Sequence, residues 1–259
     1  MQDAQQEIKK IISFIKKIYQ EQHFDKAVIA VSGGLDSAVS LTLLAKALPK
    51  EQIYPLFLPF AAQDMDDARE ICEFNQIPQR NWNEINIQPM VDVFLQELII
   101  QKNADAKQQD LMRAGNVMAR TRMVVVFDQA KNLEALVCGT ENKSESMLGY
   151  FTRFGDGASD VEPIRHLLKT EVRQLAEEMG IPEKYIAKPP SAGLWDGQTD
   201  EQEMGFKYSD ADQVLAVLEA EEDLAKLDVD KEVVEKIKAR VRQNAFKHEV
   251  PYCYCGKRD

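Results

Sequence analysis

The stretch Lys26-Ala-Val-Ile-Ala-Val-Ser32-Gly33-Gly34-Leu35-Asp36-Ser37 decides the fold class of this chain. Its first half is a short apolar run typical of a buried strand, and the residues after Gly34 return to helical spacing. Glycines at such a junction permit a tight turn and a close approach of the backbone to a ligand. The following helix presents unpaired N–H groups and a positive dipole end. The stretch therefore predicts an anion-binding turn at the end of a strand.

The alternation of strand and helix continues on both sides of this stretch. Apolar spacing predicts an N-terminal helix, strands over 26–32, 52–60, 80–87 and 135–138, and helices over 36–48, 64–75, 89–101, 115–129, 169–179, 209–220 and 231–245. This order favours an α/β fold, Rossmann-like, with a parallel β-sheet flanked by helices on both faces. We expect one domain over 1–259, with a core at about 25–208 and a C-terminal helical extension at about 209–259.

The composition excludes several classes of function. Lys and Arg number 32 against 43 Asp and Glu, a formal net charge of −11. Such an acidic chain lacks the basic face typical of nucleic-acid binding, so we expect no nucleic acid as partner. No apolar run approaches the roughly 20 residues that span a bilayer. The N-terminus also lacks the apolar core of a signal peptide, so a cytoplasmic protein that binds no membrane is expected.

The four cysteines and one long loop are the other unusual features of the sequence. Cys72, Cys138, Cys253 and Cys255 contain no CxxC pair and favour neither a disulfide framework nor a closed zinc site. The segment 188–206 is rich in Gly, Pro and Asp and is long for a structureless connection. Loops of this kind are usually functional lids or disordered segments.

Asp36 is unusual in a turn that binds phosphate, because a carboxylate repels phosphate. A carboxylate at this position is explained if it binds a Mg²⁺ that also binds phosphate oxygens. No lysine follows Gly34 at the position that a GxxxxGK[ST] loop requires. The alternative is a plain glycine turn with Asp36 as a helix cap. The stretch Ser32–Ser37 resembles the SGGxDS signature of the PP-loop, or N-type, ATP pyrophosphatases, which split ATP into AMP and pyrophosphate. The resemblance implies the adenine nucleotide alpha hydrolase fold.

Further blocks distinguish the members of that group. They are Gly115–Met123, Gly139–Glu145, Gly149–Asp160 and Pro163–Lys169. In this order and spacing they resemble the NAD synthetases, which amidate nicotinic acid adenine dinucleotide (deamido-NAD). The similarity extends from about Asp25 to about Tyr208.

The resemblance implies a set of site residues. It implies ATP contacts at Ala30, Val31, Ser32, Gly33, Gly34, Leu35, Asp36, Ser37, Thr140, Lys169 and Ser191. It implies deamido-NAD contacts at Arg120, Arg153, Asp160 and His248, and Mg²⁺ ligands at Asp36 and Glu145. The catalytic roles go to Asp36, which holds the metal, and Lys169, which holds the departing pyrophosphate. Arg120 and Arg122 point in different directions on one helix, so only one need face the site, and the resemblance selects Arg120.

Three positions depart from the family pattern. Arg153 stands where the family usually has Lys, and an arginine can meet a phosphate bidentately, which alters the contact geometry. Gly193 stands where one common form has Asp, although the nearby Ser191 keeps its hydroxyl. Glu249 replaces a basic residue after His248, so only His248 carries over there.

The implied reaction activates a carboxylate. The nicotinate carboxylate of deamido-NAD attacks the α-phosphorus of ATP, and ammonia then displaces AMP from the adenylate. Glutamine-dependent members carry an extra amidase domain for which this chain has no room, so free ammonia is the expected donor. A homodimer whose interface helps to bind the dinucleotide is also implied.

Two alternatives remain open. The first is another PP-loop enzyme, such as a GMP synthetase fragment or a tRNA-modifying enzyme. The acidic charge and the lack of catalytic cysteine pairs disfavour tRNA, and the missing dimerisation domain disfavours GMP synthetase. The second is a non-catalytic adenine-nucleotide-binding module, which the presence of both Asp36 and Glu145 disfavours.

Overall fold

The sheet positions the glycine turn at its centre. A computed structural model of the chain describes residues 3–101, 106–191, 199–249 and 251–252. Within them, one parallel sheet contains β1 (Lys26–Ala30), β2 (Ile53–Phe57), β3 (Asn83–Glu84) and β4 (Ala135–Cys138), in the order β3-β2-β1-β4. In the centre, Ala27 pairs with both Ile53 and Leu136. The strand order therefore reverses beside β1, where ligands of open α/β sheets bind.

Helices occupy most of the remaining chain that the structure describes. They are α1 (Ala4–Gln22), α2 (Leu35–Ala47), α3 (Asp66–Phe74), α4 (Gln88–Glu97), α5 (Gln108–Leu133), α6 (Lys143–Leu148), α7 (Lys169–Glu178), α8 (Glu183–Ala187), α9 (Asp200–Met204), α10 (Tyr208–Glu219) and α11 (Lys231–Asn244). None of these helices has both the length and the apolar character needed to cross a membrane.

Two apolar clusters cover the two faces of the sheet. Successive side chains of a strand point to opposite faces. Ala27 and Ile29 of β1 accordingly pack with α1, α2 and α7, whereas Val28 packs with α4 and α5. All three side chains are fully buried. The predicted α/β class, with helices on both faces of a parallel sheet, is confirmed.

A third apolar cluster contains no strand residue. It joins α6, α9, α10 and α11, and its fully buried members include Tyr208, Val214 and Ile237. Because α6 begins five residues after β4 ends, this cluster attaches the C-terminal helices to a segment that leaves the sheet.

Three predicted elements differ from the structure. The strand predicted over 80–87 is reduced to β3, because a 3₁₀ turn at Gln79–Asn81 precedes it and its ladder to β2 has only two residue pairs. The helix predicted over 115–129 runs from Gln108 to Leu133, since its polar first turns carry no apolar periodicity. The segment 188–206 contains α9, capped by the Thr199 hydroxyl, which accepts the Gln202 N–H at 3.3 Å.

The cysteines that the structure describes agree with the absence of a disulfide framework. Cys72 and Cys138 are both buried free thiols. Cys253, Cys255 and Gly193, which the sequence singled out, lie outside the described residues.

Candidate active site

A cleft with a volume of about 570 Å³ opens at the carboxyl ends of three strands. Its floor is formed by residues that directly follow β1, β2 and β4, among them Val31, Leu58 and Thr140. The cleft volume lies within the range of about 300–1,000 Å³ that is typical of small-molecule sites. The topology of the sheet and the cavity therefore indicate the same place.

The glycine turn forms one wall of this cleft. Gly33 has φ +74°, a left-handed conformation that favours glycine. A Cβ at Gly33 would lie 2.8 Å from Cβ of Asp67 on α3, so no side chain fits between them. Gly34 begins α2 without a side-chain cap. The first N–H groups of α2 are thus left for a ligand, and the structure agrees with an anion-binding turn.

Asp36 and Glu145 meet at the ammonium group of Lys169. Nζ of Lys169 forms an ion pair with Oδ2 of Asp36 and lies 3.2 Å from Oε1 of Glu145. The Lys169 side chain is only 3% exposed, and each carboxylate side chain is 17% exposed. The three residues come from the first turns of α2, α6 and α7, so the site joins three helix N-termini.

Asn142 orients both carboxylate-bearing residues. Its Nδ2 donates to Oδ1 of Asp36 at 3.0 Å, and its Oδ1 accepts the backbone N–H of Glu145 at 2.9 Å. The side chain is fully buried, and it caps α6. Sequence reasoning missed this residue, although its position before a short helix with an acid three residues later is a recognisable capping signal.

The charges of this cluster are strongly coupled. Burial raises the pKa of Glu145; Lys169 opposes this rise, while Asp36 and Asp200 add to it. Burial also lowers the pKa of Lys169, but Asp36 and Glu145 outweigh that effect and raise it. Burial raises the pKa of Asp200 as well, against the pull of Lys169. Several carboxylates thus surround one cation, and the site can accommodate more positive charge.

The donor set fits a hard divalent cation such as Mg²⁺. Two carboxylates that converge on one ammonium nitrogen can converge equally on a metal, and Mg²⁺ prefers oxygen ligands. Within the described residues, no group of three or more His, Cys, Asp or Glu side chains is placed to hold a metal. A metal between Asp36 and Glu145 would therefore take its other ligands from water or from substrate phosphate.

The predicted ATP contacts come together in the cleft. Its lining includes Ala30, Val31, Ser32, Gly34, Leu35, Asp36, Ser37, Thr140, Lys169 and Ser191. Gly33 lies behind this lining, where its carbonyl oxygen accepts a hydrogen bond from Nζ of Lys188 at 3.1 Å.

The four predicted contacts to deamido-NAD do not line the cleft of the single chain. Arg120 is exposed and donates to the backbone oxygen of Arg153 at 3.3 Å. The Asp160 carboxylate accepts the N–H of Val137 in β4 at 2.8 Å. Nothing in this arrangement brings all four residues together.

The fourth predicted contact to deamido-NAD, His248, lies beside the loop that carries Arg153. Nε2 of His248 lies 3.0 Å from the carbonyl oxygen of Ser146, and its ring lies 5.7 Å from that of Phe151. The guanidinium of Arg153 stacks on Phe246 at 5.5 Å. Arg120, Arg153 and His248 thus surround one loop, next to the cleft and outside it.

Several cations of the cleft were not predicted. Arg122, Lys188 and Lys247 all line it. Nζ of Lys247 donates to the carbonyl oxygens of Gly149 and Phe151, at 2.6 and 2.8 Å. Although the chain is acidic, these positively charged side chains form part of the lining of the cleft.

The direction of Arg122 could have been read from the spacing along α5. Arg122 lies four residues from Met118 and four from Val126, which are both buried, so it shares their inward face. In the single chain, Arg122 lines the cleft and Arg120 does not, and the predicted contact of Arg120 with deamido-NAD stays a prediction.

Comparison with known proteins assigns the family. The family model described as NAD synthase matches residues 7–251. The chain belongs to the NAD synthase family. The resemblance read from the separate motifs is confirmed, and the other PP-loop activities are not favoured.

Individual members of the NAD synthase family agree with this assignment. An NH₃-dependent NAD⁺ synthetase of Thermoplasma acidophilum is 41% identical over 216 residues, which cover 83% of this chain and 85% of that protein. The structure of an NMN synthetase from Francisella tularensis superposes with a TM-score of 0.83 at 30% identity, over 98% of this chain and 99% of that one. An NH₃-dependent NAD synthetase from Campylobacter jejuni, in complex with nitrate, gives 0.80 at 29% identity, over 97% and 99%.

Proposed function

We propose that this chain is a carbon–nitrogen ligase that converts deamido-NAD to NAD with ATP and free ammonia, and releases AMP and pyrophosphate. The observation that carries the proposal is the cluster of Asp36, Glu145 and Lys169 beside the uncapped N-terminus of α2. Membership of the NAD synthase family supports this reaction. We propose that the reaction takes place beside this cluster.

The first step activates an inert carboxylate. A nicotinate carboxylate oxygen attacks the α-phosphorus of ATP, the bond from that phosphorus to the bridging oxygen breaks, and pyrophosphate leaves. In this proposal, the N–H groups at the start of α2 and Nζ of Lys169 hold the departing phosphates, because preformed donors stabilise developing negative charge. Asp36 and Glu145 would hold Mg²⁺, which neutralises charge on the phosphate oxygens when bound.

Lys169 changes partners in this scheme. In the structure, its ammonium group compensates the two carboxylates. A metal held by Asp36 and Glu145 would compensate both carboxylates in place of the lysine, and Nζ of Lys169 could then donate to a phosphate oxygen. The buried cation is thus kept charged and in place until ATP arrives.

The second step forms the amide. Ammonia attacks the carbonyl carbon of the adenylate, AMP leaves with the electron pair of the acyl–oxygen bond, and the nitrogen loses a proton. Few acid–base groups are needed, so the positions of the two substrates supply most of the rate enhancement.

We also propose that deamido-NAD binds between two copies of the chain. Its predicted contacts lie outside the single-chain cleft. Arg120 shares a helix face with Val124, which is 59% exposed. On the adjacent α4, Val93 and Phe94 are 59% and 50% exposed, while Val91, on the side of the helix opposite Val93, is buried. A helix that is apolar on opposite sides is typically covered on both, and a second copy would cover this surface beside Arg120.

The proposal also includes the domain organisation and the cellular location. We propose one domain over 1–259, because the third apolar cluster joins the C-terminal helices to α6 and hence to Glu145. We place the reaction in the cytoplasm, where free thiols such as Cys72 and Cys138 persist.

One assay tests the activity. The chain is incubated with Mg²⁺, ATP and deamido-NAD, with either ammonium or glutamine, and NAD and AMP are quantified. We expect equal amounts of NAD and AMP with ammonium, and no NAD with glutamine alone. Absence of NAD with both donors contradicts the proposal, and NAD from glutamine reverses the choice of donor.

A second substrate is suggested by one structural relative. Because that relative is an NMN synthetase with a TM-score of 0.83, nicotinate mononucleotide is the natural competitor of deamido-NAD. The same assay with the mononucleotide decides between them. A higher kcat/KM for deamido-NAD supports NAD as the product, and a higher value for the mononucleotide makes NMN the product.

A further inference from the structure

Arg122 brings a cation from α5 to the end of β2, inside the cleft. Nε donates to the backbone oxygen of Leu58 at 3.0 Å, and Nη2 donates to Oε1 of Gln63 at 3.3 Å. All three residues line the cavity. These two hydrogen bonds fix the plane of the guanidinium, so its position does not depend on a bound ligand.

We propose that Arg122 receives an anionic oxygen group of a bound substrate, either a phosphate of ATP or the carboxylate of deamido-NAD. The inference rests on the proposed function for the identity of the two ligands. The family resemblance implies a ligand contact at Arg120 and none at Arg122.

The charge balance around Arg122 is the main support. Lys169 is paired with Asp36, and Lys188 is paired with Asp67 at 2.5 Å. Arg122 forms no ion pair with any residue that the structure describes. Its two hydrogen-bond partners are a carbonyl and an amide, so no carboxylate of the described residues pairs directly with the guanidinium.

The geometry leaves donors free for a ligand. An arginine has several N–H donors in a planar fork, and here Nη1 donates to none of the described residues. Burial lowers the pKa of Arg122, and Asp156 opposes this effect. A partly buried cation without a directly paired carboxylate is unfavourable in the free protein, and an anion beside it would reduce that cost.

Arg120 provides the internal comparison. It lies on the same helix, but it is exposed and its Nη2 donates to a backbone oxygen outside the cleft. The two arginines therefore have different environments in one chain. Arg122 is the one whose charge is directed into the cavity.

Binding of matched ligand pairs tests the proposal without turnover. Dissociation constants are measured by calorimetry for ATP against adenosine, and for deamido-NAD against NAD, which differ only in a carboxylate or an amide. The proteins are the wild type, Arg122→Gln, Arg122→Lys and the control Arg113→Gln. Arg113 lies on α5 and forms an exposed ion pair with Asp110, so its variant should behave as wild type.

We expect Arg122→Gln to weaken binding of one ligand by about tenfold or more and to spare the matched ligand that lacks the phosphates or the carboxylate, with a smaller effect for Arg122→Lys. Loss confined to ATP assigns a phosphate, and loss confined to deamido-NAD assigns the carboxylate. Equal loss for all four ligands, or no loss for any, overturns the proposal. Circular dichroism and thermal unfolding check that the variants fold. Failure of the proposed function would appear separately, as absence of NAD from the wild type.

Discussion

Lys169 forms a buried ion pair with Asp36, although 133 positions separate the two residues in the chain. Each lies in the first turn of its helix, Asp36 in α2 and Lys169 in α7. A lysine at a helix N-terminus is disfavoured by the helix dipole. Its presence there is compensated by Asp36 and Glu145 across the cleft, so the position of Lys169 serves the site and not the helix.

Asp36 should be essential for AMP formation. In Asp36→Asn the amide can still pair with Asn142, so the fold should survive, but the negative charge that would hold the metal is lost. We expect kcat to fall by about 100-fold or more, measured as AMP release. Asp66→Asn is the control, because Asp66 is also a first-turn acid but is 71% exposed on α3. Full activity of Asp36→Asn would contradict the assignment of Asp36 as a metal ligand.

Removal of Lys169 should destabilise the protein and make its stability depend on Mg²⁺. Lys169→Met leaves Asp36 and Glu145 facing each other without compensation, which typically costs about 3–5 kcal/mol for a buried pair. Urea unfolding measures the loss, and added Mg²⁺ should restore part of it in this variant and less in wild type. Lys143→Met breaks the more exposed pair with Glu219 and should cost about 1 kcal/mol or less. Equal losses in the two variants, or no response to Mg²⁺, would contradict the model of the site.

Gly33 should not tolerate a side chain. In Gly33→Ala the new Cβ meets Asp67 Cβ at 2.8 Å in a left-handed conformation, so the turn must shift. We expect ATP affinity, measured by calorimetry, to fall by about tenfold or more. Gly34→Ala lacks this clash, because its nearest atom is Ser32 Oγ at 3.3 Å and its φ is −91°; since Gly34 lines the cleft, we expect a smaller loss of ATP affinity than in Gly33→Ala.

A second control separates strain from displacement of the turn. Gly205 also has a positive φ, but a Cβ there would meet nothing within 4 Å. Gly205→Ala should lose stability without loss of ATP affinity. If all three variants bind ATP equally, the close approach at Gly33 is unimportant.

Glu141 should make stability depend on pH in a defined direction. Its side chain is 4% exposed, its carboxylate accepts no hydrogen bond from the described residues, and Arg165 Nη1 lies 3.3 Å from it. Burial raises its pKa from 4.5 to about 7, although Arg165 opposes the rise. Between these values the folded state binds more protons than the unfolded state. The stability that Glu141 contributes at low pH is therefore lost as the pH rises through about 7.

Glu141→Gln removes this dependence. We expect the free energy of unfolding of the wild type, relative to the variant, to fall by about 3 kcal/mol between pH 4.5 and 7 and then to level off. Urea unfolding at intervals of pH measures the difference, with the exposed Glu51→Gln as control. A difference that stays constant, or that grows with pH, would contradict the burial of a protonated Glu141.

The apolar surface of α4 and α5 should hold two copies together. Phe94→Glu places a charge on this surface, and we expect the molar mass measured by light scattering to fall from dimer to monomer. The KM for deamido-NAD should rise more than the KM for ATP, because the predicted dinucleotide contacts lie outside the single-chain cleft. Phe14→Glu on α1, where Phe14 is 43% exposed, is the control. A wild type that is already monomeric and active would end the dimer proposal.

Much of the fold follows from local pattern. The apolar run of β1, the break at Gly33 and the helical spacing after it lie next to each other in the chain, and backbone sterics act over that range. The edge strand β3 was overestimated, since a two-residue ladder leaves little mark on the sequence. The N-terminal turns of α5 were missed because exposed polar residues carry no apolar periodicity.

The sequence by itself determined the family and the fold class and predicted ten residues that line the cleft, because the motifs are contiguous and their spacing is fixed by the backbone. Only the tertiary structure decided that Lys169 stands between Asp36 and Glu145, that Asn142 orients both, and that Arg122 faces the cleft in place of Arg120. These relations depend on how separate helices pack on the sheet. Packing distances between remote segments are set by the whole core and have no local signature.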